Sequence, residues 1–498
     1  MKTIRYIQKG IITCLILSLV SCNNWLDVAP DDRIMENELF KDQAGFIKAL
    51  NGVYSELNST TLYGLNLSAG MIDAMAQYYN CKSGAADRHR FEVFLNYNYE
   101  DSDYKTKLES IWSKTYELIA NCNAIIDRCG DANPVLTDTY HRMIKAEAIG
   151  LRAVLHLDLL RMYGPVWTDA DKATLSIPYM TKANREVQPL LPASQVLEHI
   201  TADLKMAAEL IHPVDPVVTL GTVNKDEIID RNDMNYRQFR LNYYAMKALL
   251  ARAYLWGKDT ESAGRYAKEV ISAVTSPENP LFPLVDAGYV GSHTDHVFSP
   301  EILFSLYNTS RKWNIFDQLF APTLSSLSLM TLSGNFASGR IDYLYDDQND
   351  YRFKMWTQAT VSNVDVTYFT KYQGTMRESE AGSLHPYMIP MIRLSELYLI
   401  AAECESSPEA AAKNWLDPLR ASRNCVNLQA NSQEELQAHI QGEYAREFIG
   451  EGQLFFYFKR KQLANIPDGT TANYVKNIQL SEYVFPLPDS EISQRAEE

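Results

Sequence analysis

The chain has 498 residues, 46% of them hydrophobic and 22% charged, which is material for a full core. Its formal net charge of −15 speaks against nucleic acid and anionic lipid surfaces as partners. A length of this order suggests about two to four domain-sized pieces, or one large fold made of repeats.

The first 21 residues hold Lys2, Arg5 and Lys9, no acid, and an apolar run from Ile11 to Val20. That is the form of a secretory signal, and it is too short to span a bilayer. Leu19, Val20, Ser21 and Cys22 resemble the lipobox of bacterial lipoproteins, which implies cleavage before Cys22 and acyl chains on its sulfur and new N-terminus. Losing those three positive charges takes the net charge from −15 to −18. No later segment offers 18 uninterrupted apolar residues, so the expected attachment is by lipid. With Cys14 removed and Cys22 acylated, Cys81, Cys122, Cys129, Cys404 and Cys425 remain, with no zinc-like spacing. Cys122 and Cys129 lie roughly 10 Å apart along a helix, too far for a bridge, and all five read as small buried apolar residues.

Helical periodicity begins in earnest around Ile111 to Arg128. From Met143 to Met162, Ile144, Ala148, Leu151, Leu155, Leu159 and Met162 form a stripe from which Lys145, Arg152 and His156 are excluded. Gly164-Pro165 ends that helix. After a further helix near Ser194 to Ile211, Ala251, Tyr254, Ala263 and Ala267 repeat the small, aromatic, small and apolar spacing of a tetratricopeptide hairpin, closed by Pro277. Such hairpins must stack on neighbours to bury their faces, and about four degenerate ones are expected when Arg393 to Glu405 and Pro408 to Arg423 are included.

Two stretches break this pattern. Asp73 to Tyr104 mixes Tyr78, Tyr79, Tyr97, Tyr99 and Tyr104 with Asn and Arg. Between Pro277 and Pro390 the helical period fades, and Gly, Ser, Asp and aromatic residues rise in runs that read as loops with short strands. An insertion of this kind in a helical scaffold is where binding loops are expected. Aromatic rings beside amides and Arg suit wet, polar ligands, and the candidates are Tyr78, Tyr79, Arg90, Tyr97, Asn98, Tyr307 and Trp313.

Trp25-Leu26-Asp27, Ala49-Leu50-Asn51-Gly52-Val53-Tyr54, the LRAVLHLDLLRMYGPV helix, RLSELYLIAAE, Leu419-Arg420 with Arg423, REFIGEG from Arg446, and YVFPLPDSE from Tyr483 occur in that order. Their order and spacing resemble the SusD/RagB family of outer-membrane nutrient-binding lipoproteins. The resemblance implies a mainly α fold: a scaffold lobe of tetratricopeptide-like helical hairpins and an irregular, loop-rich second lobe with short strands. It also implies a cell-surface role, capturing a glycan and delivering it to a SusC-like TonB-dependent transporter, without a cofactor. Capture of peptides or another polymer fragment, or a structural lid with little affinity of its own, are the alternatives. The expected divisions are a signal at 1–21, an N-terminal helical region at 22–275, the irregular ligand-binding lobe at 276–390, and a C-terminal helical region and tail at 391–498. Leu454 and Tyr457 stand where the family usually has Arg and Asp, as if packing replaced a charge pair.

Glu447 and Glu451 lie on one helix face, so they cannot flank a glycosidic bond and are expected to partner Arg393, Arg420 or Arg446. The SHTDH stretch, with His293, Asp295 and His296, reads as a surface loop, and the oxygen-rich run at 226–235 lacks the glycine and terminal Glu of a calcium loop. HExxH, GxSxG, GxGxxG and P-loop spacings are absent, so nothing in the sequence supports catalysis, a metal or a cofactor.

Overall fold

A computed structural model describes residues 37–82, 87–184, 186–222, 235–278, 280–334, 339–361 and 363–496. Cys22 with the rest of the signal, and all of the 226–235 run except Asn235, lie outside the described residues. The chain enters through α1 (Gln43–Leu57), where the Asp42 carboxylate accepts the Gly45 N–H at 2.9 Å and fixes the first turn. Phe46, Leu50, Val53 and Leu57 recur on its inner face, which leaves Asn51, Ser55 and Asn58 facing outward.

The scaffold is a row of helices, each packed on the next: α2 (Ser102–Cys129), α3 (Asp138–Tyr163), α4 (Ala193–Ile211), α5 (Tyr243–Trp256), α6 (Thr260–Val274) and α7 (Leu394–Glu403). In the α5–α6 hairpin, Ala251, Ala263 and Ala267 are fully buried, and Tyr254 stacks on Tyr266 at 5.7 Å. Gly264 lets α6 approach α7, since a Cβ there would sit 2.9 Å from the Cys404 Cβ. Four of the five expected buried cysteines are indeed buried, and Cys404 is half-buried. Burial pushes the Cys122, Cys129, Cys404 and Cys425 thiols up to about 12.

The expected division of α3 into an apolar stripe and a polar remainder does not hold. From Ala146 to Tyr163 every residue of this helix is buried, Arg152 and His156 included, because α2 and α4 cover it from two sides. Arg152 is carried inside by Asp203, with bonds of 2.8 and 2.9 Å, and by Asn123 at 2.9 Å. His156 takes the Met180 N–H on Nε2 at 3.0 Å, and burial lowers it to about 3, so the ring stays neutral. At the far end of α3, the ammonium of buried Lys459 donates to the carbonyls of Arg161, Met162 and Gly164, which the helix itself leaves unpaired.

The chain leaves the helical row through β1 (Ile302–Tyr307) and rejoins it through β4 (Met388–Arg393), which pairs antiparallel with β1, crosses position 390 and runs straight into α7. Between them lies a hairpin of β2 (Trp356–Val361) and β3 (Val364–Phe369) in regular antiparallel register. The 73–104 stretch belongs with this lobe: Asn80 donates its N–H to the Thr331 carbonyl, and Arg90 its N–H to the Leu327 carbonyl.

A buried ionic cluster joins the lobes. Glu447, at the end of α8 (Gln433–Glu447), accepts from Arg393 at 2.5 Å, Arg423 at 2.5 Å and Arg352 at 2.8 Å, and Arg423 continues to Glu301 at 2.7 Å. Glu451 accepts from Arg393 and from Lys371. Arg420 and Arg446 turn instead to Glu443, at 2.5 and 2.8 Å. Burial alone would raise the Glu447 carboxyl, but Arg423 and Arg393 outweigh it and hold it well below the usual range. Both glutamates are thus structural, although the expected shared helix face does not form: α8 ends at Glu447 and Glu451 lies in the turn that follows. Leu454 and Tyr457 of α9 (Leu454–Lys461) are both buried, and Tyr457 stacks on Tyr444 at 4.4 Å. Among the described residues no helix is long and apolar enough to cross a membrane.

Candidate ligand-binding site

A cleft of about 590 Å³ opens where α1, the 235–240 turn and the end of β1 meet. Asn51, Tyr54, Ser55 and Asn58 line it at intervals of three, one and three, which places them on one face of α1. Tyr54 is the floor. Its hydroxyl donates to Glu147 at 2.8 Å and accepts the Leu241 N–H at 2.9 Å. Burial, reinforced by the Glu147 charge, pushes this phenol well above its ordinary value.

Beneath the floor, fully buried Arg237 spans Glu147 at 2.7 Å and Asp215 at 2.8 Å, and so anchors the turn that carries Phe239 and Arg240. Tyr236 begins that turn with φ +55°, a backbone conformation that an L side chain adopts at a cost of order 1–3 kcal/mol and that the anchoring must offset. The Arg240 guanidinium lies 4.6 Å over the Tyr54 ring and donates to the Asn51 side-chain oxygen.

The opposite wall comes from β1. Tyr307 is 44% exposed, its ring edge-on to Phe239 at 5.2 Å and tilted against Tyr387 at 5.4 Å. Its carbonyl accepts from the Asn58 amide at 3.1 Å, which ties the two walls. Among the described residues, the Asn58 Oδ1 and the Asn308 Nδ2 are left without a hydrogen-bond partner, one an acceptor and one a donor. Aromatic faces, side-chain amides and a guanidinium in one cleft match a ligand rich in hydroxyls with flat apolar faces. Among the described residues, no nucleophile paired with a base lines this cleft.

Of the seven residues marked in the sequence as ligand contacts, Tyr307 alone lines this cleft. Tyr78, Tyr79 and Tyr97 are corrected to core residues. Tyr79 packs against Tyr78 and Phe320, and the Tyr97 hydroxyl is spent on the Met75 carbonyl at 2.6 Å. Arg90 and Asn98 are exposed, and the Arg90 guanidinium donates to the Gln318 carbonyl, so it ties two loops. Trp313 is 65% exposed on a short π-helical turn at Lys312–Phe316, outside the cleft walls. Asn51, Asn58, Phe239 and Arg240 were not marked by sequence. The available signal was polar Asn51 and Asn58, seven apart, on a helix whose other face is apolar.

The SHTDH loop builds a turn. Buried Asp295 accepts from the Tyr289 hydroxyl at 2.8 Å and from the N–H groups of Val297 and Ser299, while His293 stacks on Tyr289 at 4.1 Å. Among the described residues, no three His, Cys, Asp or Glu side chains come together in a way that could hold a metal ion.

Two family models match the chain: one described as starch-binding associating with outer membrane, over residues 24–221, and one described as the SusD family, over residues 326–497. A SusD-like protein from Formosa agariphila, P25, is 22% identical over 88% of this chain and 86% of its own length. Among solved structures, a SusD-like carbohydrate binding protein from Bacteroides vulgatus aligns over 91% of this chain and 96% of its own, with a TM-score of 0.67 and 21% identity. Surface glycan-binding protein A from Bacteroides thetaiotaomicron, in complex with laminarihexaose, aligns over 90% of this chain and 97% of its own, with a TM-score of 0.60 and 19% identity.

Proposed function

Because this chain belongs to the SusD family, we propose that it is a lipid-anchored protein of the outer cell surface that binds an oligosaccharide and passes it to a SusC-like TonB-dependent transporter, without chemistry of its own. One observation carries the sugar: the cleft in which Tyr307 and Phe239 offer aromatic surface between the Asn51, Asn58 and Asn308 amides and the Arg240 guanidinium. Ring faces receive C–H faces, and amides and guanidinium receive hydroxyls, so orientation comes from the polar groups and much of the contact area from the rings. The rigid floor built by Tyr54, Glu147 and Arg237 means that little ordering cost is left for the moment of binding.

The test is calorimetric titration of the purified full-length protein against maltohexaose, laminarihexaose, xylohexaose and a mixed peptide digest, with capture of a tagged copy from outer membranes. Binding of at least one hexasaccharide and co-purification of a TonB-dependent transporter are expected. Binding of peptides and of no sugar would replace the glycan by a peptide ligand.

A further inference from the structure

A second cavity, of about 420 Å³, lies away from the cleft, between the short helix Arg340–Leu344, α8 and the hairpin of β5 (Asn465–Pro467) and β6 (Val475–Asn477). Its volume falls within the range of roughly 300–1,000 Å³ usual for small-ligand sites. Two of the most exposed large side chains in the described chain stand at it: Tyr343 at 64% and Tyr474 at 71%. Exposed rings cost nothing singly, but two at the mouth of one cavity form a patch.

The pair is held in place. Asn473, next to Tyr474 in the hairpin turn, donates its amide to the Tyr343 hydroxyl at 3.1 Å. Arg340, one helical turn before Tyr343, donates to the Asp468 carbonyl at 2.7 Å at the base of the same turn. The floor is the side of α8 where Gly442 and Ala445 keep a trough open. A Cβ at Gly442 would sit 3.2 Å from the Arg446 guanidinium, so the missing side chain also makes room for that group. In the walls, Tyr78 Oη and Arg446 Nε, both on buried residues, have no hydrogen-bond partner among the described residues. Tyr78, read from sequence as a ligand contact, thus backs this cavity and not the cleft.

We propose that this cavity is a second glycan subsite, with Tyr343 and Tyr474 as its stacking platforms. The proposal rests on the glycan reading of the cleft for the class of ligand, and on the geometry just given for the place. A chain long enough to reach both sites is held at two points, and the second attachment then occurs at a high effective concentration.

The experiment compares four proteins, all full-length: the wild type, Tyr307→Ala, the double variant Tyr343→Ala with Tyr474→Ala, and Ala438→Phe. Ala438 is an exposed position of α8 on the cavity wall, so Phe there blocks the trough without removing a packing contact. Each is titrated with maltohexaose, laminarihexaose and xylohexaose, and with glycogen, laminarin and xylan. The wild type is expected to bind two molecules of its preferred hexasaccharide. The double variant and Ala438→Phe should each bind one, with affinity for the matching polysaccharide reduced at least about tenfold. A wild-type stoichiometry of one that Tyr307→Ala abolishes and the other variants keep would overturn the second site and leave the cleft standing. Binding kept by Tyr307→Ala and lost by the other two would keep this site and overturn the cleft. A wild type that binds no sugar at all would overturn both.

Discussion

Tyr307→Ala isolates the cleft. An aromatic side chain can bury about 150–250 Å², and Tyr307 is 44% exposed, so roughly 80–100 Å² is left for a ligand to cover. At about 25 cal/mol per Å² that area is worth about 2 kcal/mol, and ring stacking adds about 0.5–1.5 kcal/mol when the figure for aromatic pairs is extended to sugar faces. A loss of about 2.5–3.5 kcal/mol corresponds to a roughly 60- to 300-fold weaker Kd. The same ring also meets Phe239 and Tyr387, so the variant gives up about 1–2 kcal/mol of stability as well, and its Tm falls by a few degrees. Titration calorimetry and thermal melting on Tyr307→Ala and Tyr307→Phe, the latter keeping the ring, separate the two effects. Trp313→Ala, outside the cleft walls, should change Kd less than about threefold, since it removes no cleft contact. Tyr254→Ala, which breaks the stack of this half-buried ring on Tyr266 in the scaffold, should cost stability of about 1–2 kcal/mol and leave affinity intact in the folded fraction. Normal binding by Tyr307→Ala, with binding lost in Trp313→Ala, would move the site out of the cleft to the Trp313 surface.

Glu447→Ala leaves Arg352, Arg393 and Arg423 short of a carboxylate inside the core, and urea denaturation should register a loss of about 3–5 kcal/mol. Burial pushes the Glu403 carboxyl up, but Arg460 and Lys461 outweigh it and bring it to about 2. A folded value below the unfolded one means stability that is fully present above about pH 4.5 and drains away as the pH falls to about 2. Acid unfolding followed by circular dichroism should therefore be steep across that window and visibly flatter in Glu403→Gln. Cys22→Ala should leave the fold intact and release the protein from membranes, because acyl chains at about 0.8 kcal/mol per buried methylene are the expected anchor. Retention of that variant on membranes lacking the partner transporter would count against lipidation.

The scaffold was legible because its signals are local. The Ala and Tyr spacing of the α5–α6 hairpin and the Gly164-Pro165 stop each act within a turn or two of chain. What stayed hidden depends on partners far away in sequence. Arg152 and His156 read as solvent-facing because nothing nearby reveals that Asp203 and the Met180 N–H meet them. Tyr78, Tyr79 and Tyr97 sit among polar residues in sequence, yet Phe320, more than 200 positions on, and the Met75 carbonyl enclose two of them. Arg393 was correctly matched to Glu447, whereas Arg420 and Arg446 went to Glu443, which shares the helix one turn earlier and differs by no sequence signal. The cleft is the extreme case, drawn from 51–58, 235–240, 306–309 and Leu384, four places that no local pattern joins.

This division of labour also explains how relatives at about 20% identity keep one fold over some nine-tenths of the chain. Isolated two-stranded sheets are marginal in water, and the irregular lobe has little else of regular structure, so its shape rests on its own buried side chains and on parts imposed from outside. The imposing parts are the row of helices and the buried Arg–Glu cluster, which grips β4, the 350–352 turn and α8 at once. Such a cluster tolerates little change, because removing one partner strands a charge inside the core. The cleft walls carry no such burden: the outer part of Tyr307 and the outward edge of α1 can change without unseating a buried ion. On the proposed reading of the cleft, the choice of ligand is set by positions 51, 58, 239, 240 and 307, which line it outside the buried Arg352–Arg393–Arg423 cluster.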